Sequence, residues 1–84
     1  MKRAAARSAN ALTQAAQEGY ACGNAGDCPY PPHGGAWVAW HIGRCLWATG
    51  RSQPQDVRRA SGSTCWVGDM RYVLHGTDRI ERLC

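Results

Sequence analysis

The side chains best suited to metal ligation or nucleophilic chemistry in this 84-residue chain are five cysteines, at 22, 28, 45, 65 and 84, and three histidines, at 33, 41 and 75. Cys22, Cys28, His33, His41 and Cys45 fall within 24 residues of one another, and His41 and Cys45 would share a helix face at i, i+4. A tetrahedral zinc site draws its ligands in close pairs, however, and the segment holds neither a CxxC nor an HxxxH pair. The expectation is therefore no bound metal, with the cysteines serving as small apolar core residues. Cys28 with His33 could form a nucleophilic pair, yet nothing in the sequence announces the third group or the oxyanion site that such a pair needs. The phosphate loop pattern G-x-x-x-x-G-K-[ST] is absent, and Lys2 is the only lysine. No cofactor, no small-molecule substrate and no enzymatic activity are expected.

Cations offer the stronger chemistry. Ten Lys plus Arg stand against six Asp plus Glu, for a formal charge of +4 and a pI near 9.0. Nine of the ten are arginine, which grips phosphate with two N–H groups and stacks on bases; a GC-rich coding bias would produce the same excess. Lys2, Arg3 and Arg7 would form a basic arm over residues 1–7, able to follow a phosphate backbone if it is not simply a frayed terminus. Arg44, Arg51, Arg58, Arg59 and Arg71, interleaved with Tyr20, Tyr30, Trp37 and Trp40, suit folded RNA with exposed bases. An odd cysteine count and no apolar leader point to a reduced, cytoplasmic protein, and no run approaches the roughly 18 apolar residues of a membrane span.

The elements that would position these residues read as one small α+β domain over 1–84. Ser8 as N-cap, followed by alanines, Leu12 and glutamines, predicts a helix over about 8–25. Leu12, Ala15, Ala16, Gly19, Tyr20 and Gly23 lie on one face of it, a stripe of little bulk. Glycines at 19, 23 and 26 imply close backbone packing, and Cys28-Pro29 with Pro31 and Pro32 forces the chain to reverse. A second helix follows over about 35–49, with Trp37, Trp40, Arg44 and Trp47 on one stripe and Val38, Ile42 and Cys45 on the next. Gly50 suits the position just past its end. The two helices should pair large side chains against small, leaving one tryptophan for the C-terminal half or for an exposed interaction surface. Pro54 and the Ser52/Gln55 spacing predict a turn or two of helix over 55–60, and Thr77 or Asp78 would cap a last helical turn through Leu83. Between them, 64–75 predicts a β-hairpin about Gly68-Asp69, its apolar face of Met70, Tyr72 and Leu74 on the second helix.

Taken together, Gly19-Tyr20, Gly23, Ala25-Gly26, Cys28-Pro29-Tyr30, Trp37 and Trp40 resemble the ribosome modulation factor family. That family includes short plasmid- and phage-borne relatives, some of them named as quinolone-resistance proteins. The resemblance spans about residues 15–44; residues 51–84 form a C-terminal extension without a counterpart in the short members. Family members bind the small ribosomal subunit and help put ribosomes into an inactive, hibernating state. The resemblance thus implies a translation regulator, with Gly19, Gly23, Gly26, Cys28 and Pro29 as structural turn residues and rRNA contact from nearby cations and aromatics.

A second function class fits the same composition. A small phage- or plasmid-encoded protein can act by covering a host protein, and Trp66, Met70, Tyr72 and Leu74 are anchors of the kind found at interface hot spots. Salt separates the two, because phosphate binding weakens steeply with salt whereas an aromatic-anchored interface responds much less.

Overall fold

The computed structural model describes residues 10–83. The basic arm 1–7 with Lys2, Arg3 and Arg7, the N-cap expected at Ser8, and Cys84 lie outside the described residues. Helix α1 runs Ala11–Cys22, started by Asn10, whose side-chain oxygen accepts from the Thr13 N–H at 2.9 Å. It ends earlier than the 8–25 expected. Gly23 ends it with a positive φ of 59°, so Gly23 and Gly26 belong to the turn rather than to a helix face.

Helix α2 runs Gly35–Ala48, close to the expected span. Its end is a Schellman arrangement: Gly50, at φ 73°, donates to the Trp47 carbonyl at 3.1 Å and Arg51 donates to Leu46 at 2.9 Å. Between the helices the chain reverses as the prolines require, and the Tyr30 hydroxyl donates to the Glu18 carboxylate at 2.5 Å, fastening the turn to α1.

The two helices cross backbone against backbone. A Cβ on Gly19 would overlap the Trp40 carbonyl oxygen, and a Cβ on Gly43 would overlap that of Ala16. Two reciprocal notches therefore set the crossing, with Ala15, Ala16 and Ala39 fully buried around them. This differs from tryptophan rings seated on a glycine face. The rings leave the crossing sideways: Trp40 is buried against the His41 ring at 5.0 Å, and Trp37 stands half-buried between His33 and His41. Trp47 is 43% exposed, with its ring 3.0 Å from where a Cβ on Gly23 would sit.

The second half is a four-stranded antiparallel meander, β1 (Val57–Ser61), β2 (Thr64–Val67), β3 (Met70–His75) and β4 (Arg79–Arg82), in that spatial order. The β2–β3 hairpin is the expected one, with Cys65 opposite Tyr72 and Trp66 opposite Arg71. The two flanking elements correct the expected helices. Residues 57–61 pair with β2 because the Val57 N–H reaches the buried Thr13 hydroxyl at 2.8 Å, which docks the strand's start on α1. Residues 79–82 pair with β3, placing Ile80 opposite Leu74, and Thr77 and Asp78 occupy the connecting turn. Both added strands shield the edges of a hairpin that is marginal alone in water.

One face of the sheet closes the core. Val57, Cys65, Tyr72 and Leu74 point to the helices and join Ala15, Ala16, Val38, Ile42, Cys45 and Leu46. Arg58, Trp66, Arg71 and Val73 alternate onto the opposite face, against which no described helix packs.

Candidate nucleic-acid interface

On that outer face the sheet register brings three residues from three strands into one row. Arg58 on β1 is opposite Trp66 on β2, which is opposite Arg71 on β3. The Arg58 guanidinium carbon lies 5.8 Å from the centre of the indole and that of Arg71 lies 5.4 Å from it, within cation–π range. Arg58 also donates to the Gly68 carbonyl at 3.3 Å. Arg71 has no side-chain hydrogen bond among the described residues, and its Nε is buried without a partner. Opposite Val73, one same-face position along β3 from Arg71, Glu81 meets His75 at 3.0 Å.

The other expected contact residues are spread more widely. Arg58 and Arg59 adjoin in a strand and so point to opposite faces; Arg59 donates twice to Gly62, at 3.1 and 3.3 Å, and its stem passes Gly35 at the start of α2. Arg44 donates to Thr77 at 3.0 Å, tying α2 to the β3–β4 turn. Arg51 lies 5.9 Å over the Tyr72 ring and lines a cavity of about 580 Å³ with Leu46, Ser52, Gln53, Val67 and Tyr72. The Tyr20 hydroxyl donates to the Arg51 carbonyl at 2.6 Å and Tyr30 is held by Glu18, so both tyrosines spend their hydroxyls on the fold. That bond to the Glu18 carboxylate, with burial, pushes the Tyr30 phenol pKa up.

Two members of the sheet row went unrecognised as a pair in the sequence. Trp66 and Arg71 are five residues apart across a tight turn, which is the separation that places them opposite each other in a hairpin. Arg58 could join them only once residues 57–61 were known to form a strand.

Cys45, Cys65 and His41 are buried, whereas Cys22 and Cys28 are half-buried. Burial pushes the Cys65 thiol up to about 11 and raises Cys45 and Cys28 as well, so none of the three is an activated thiolate. Burial first, then the nearby Arg44 charge, lowers the His41 pKa against an opposing contribution from the Thr77 backbone. Its Nδ1 is buried without a partner. Among the described residues no three His, Cys, Asp or Glu side chains gather as a metal site would require, Cys22, Cys28, Cys45 and Cys65 are free thiols, and no helix is long and apolar enough to cross a membrane.

No protein family, curated protein or solved structure matches this chain.

Proposed function

We propose that this protein binds rRNA of the small ribosomal subunit and modulates translation, without catalysis. The observation that carries the reading is the state of the arginines. From Arg44 onward the chain holds seven arginines and all six acids lie within residues 18–81, yet among the described residues no arginine forms an ion pair with a carboxylate. The ion pair present there joins His75 to Glu81. Three guanidiniums, those of Arg51, Arg58 and Arg71, rest instead on aromatic rings, which hold the cation in place without neutralising it. A surface that orients arginines and leaves their charge unmatched suits an anionic partner with planar bases.

Charge distribution adds a second layer. The seven arginines against six acids give the body only +1, and Lys2, Arg3 and Arg7 supply the other three charges. Non-specific attraction then comes mostly from the arm, and orientation from the arginines of the body. The small subunit is the choice because residues 15–44 resemble ribosome modulation factor. The cytoplasm is the compartment this implies.

A host-protein inhibitor draws less support. Of the anchors it would use, Tyr72 and Leu74 are 5% exposed and belong to the core, leaving Trp66 between its arginines and Met70 at 40% exposure. The test is co-sedimentation with bacterial 30S and 70S particles at about 50 and about 200 mM salt. Association that falls steeply over that range is expected. A chain that remains at the top of the gradient at both salts overturns the proposal.

A further inference from the structure

We infer that the outer sheet face binds a single-stranded RNA segment, its phosphates held by Arg58 and Arg71 while Trp66 fixes the spacing of the two guanidiniums. This rests on the RNA reading above and adds the form of RNA and the residues that take it.

Trp66 stands between Arg58 and Arg71 in the sheet row, and both guanidinium carbons lie within cation–π range of its ring, at 5.8 and 5.4 Å from its centre. The ring thus holds the two cations side by side, and arginine planes accept unstacked bases as aromatic rings do. Trp66 is thus a positioning residue, and the arginines make the contact.

Both arginines keep donors free for that contact. Arg58 donates to Gly68 through one nitrogen, and Arg71 makes no side-chain hydrogen bond among the described residues. The Arg71 Nε is buried without a partner, so the donors that Arg71 offers outward are its two terminal nitrogens. The acid on this face, Glu81, is bonded to His75, and Asp56 and Asp69, at the loop end of the row, form no ion pair with either arginine.

Shape selects the single strand. The major groove of A-form RNA is too deep and narrow for side chains to read, and its duplex offers bases only along edges. Arg58, Trp66 and Arg71 cross three adjacent strands of a sheet, a short straight row that follows one extended strand rather than two paired ones.

The test measures fluorescence anisotropy of a fluorescein-labelled uridine 12-mer and of a 12-base-pair RNA duplex with the full chain. The single strand is expected to bind at least about tenfold tighter. Arg58→Gln with Arg71→Gln should weaken it about tenfold or more and flatten the salt dependence, since each lost phosphate contact lowers the log–log slope by roughly 0.7 for single strands. Trp66→Phe should keep the affinity within about threefold, and Trp66→Leu should lose about tenfold, because only an aromatic ring holds both cations. Equal affinity for the duplex, an unaffected double variant, or no binding of either RNA overturns the inference. The two proposals fail separately: oligonucleotide binding without 30S co-sedimentation removes the ribosomal reading and leaves this site, whereas 30S binding intact in the double variant removes this site and leaves the ribosomal reading.

Discussion

The helix crossing and the outer sheet face are built on opposite terms. At the crossing, α1 and α2 touch through backbone at Gly19 and Gly43, and the nearest side chains are fully buried alanines. On the outer face, long cationic side chains stand around an indole, and the Arg58 side chain is exposed. Close packing leaves the first region no room for even one added carbon, while the second could lose its charges with little cost to folding. The contrast is one of construction: the helical half is locked by backbone contact, and the sheet presents cations on its outer face.

The strongest way to break that contrast is to add one methyl group at the crossing. Gly43→Ala places a Cβ into the Ala16 carbonyl, and Gly19→Ala does the same against Trp40. Neither neighbour is a flexible side chain, so the helices must separate, at a cost of about 3 kcal/mol or more. Thermal melting should show a large fall in Tm or loss of the cooperative transition. A Tm within about two degrees of wild type would contradict the crossing described here.

Next in size is the link between the two regions. Thr13→Val removes the hydroxyl that accepts from Val57, leaving a buried N–H unpaired, and should cost about 1–3 kcal/mol. Denaturant titration measures this, and Thr13→Ser should restore most of the loss. Gly23→Leu belongs in the same range, about 1–2 kcal/mol, because it forces a side chain into a positive φ beside the Trp47 ring. Its effect should remain smaller than that of Gly43→Ala, since Trp47 is partly exposed and can move aside.

A pH titration sharpens the contrast further. His41 has its pKa lowered from 6.5 in the folded chain, so the unfolded chain takes up its proton first as pH falls. The contribution to stability is complete above pH 6.5 and is lost as pH drops from there toward the folded value. Tm should be level from pH 8 to 7 and decline below pH 6.5, and His41→Leu should flatten the decline. An unchanged decline in that variant would assign the effect to other groups.

Much of the crossing and little of the outer sheet row was legible in the sequence. The helical hairpin followed from alanine-rich propensity, the proline-forced reversal and Gly50, whose positive φ closes α2 as expected. Gly19 was placed at the close approach, but its counterpart Gly43 was hidden inside a tryptophan stripe where aromatic periodicity draws attention to side chains. The hairpin Thr64–His75 was readable because Tyr72 and Leu74 alternate with Arg71 and Val73. Strands β1 and β4 were not. Val57–Ser61 has one buried residue followed by four exposed ones, and Arg79–Arg82 has a lone Ile80 among charges, so neither carries a period-2 signal. Their conformation is set by pairing with neighbours and by Thr13, a tertiary effect that outweighs local propensity. Missing β1 also hid the row Arg58, Trp66, Arg71, because only a strand turns Arg58 toward Trp66 and Arg59 away from it.

The most direct test of the division of labour takes one sample of the Arg58→Gln/Arg71→Gln variant through both a thermal melt and 30S co-sedimentation at about 50 mM salt. The expected result is a stability within about 0.5 kcal/mol of wild type together with a loss of ribosome binding of about tenfold or more. A variant that binds as wild type does, or one whose binding falls only because its fold has melted, would contradict the account.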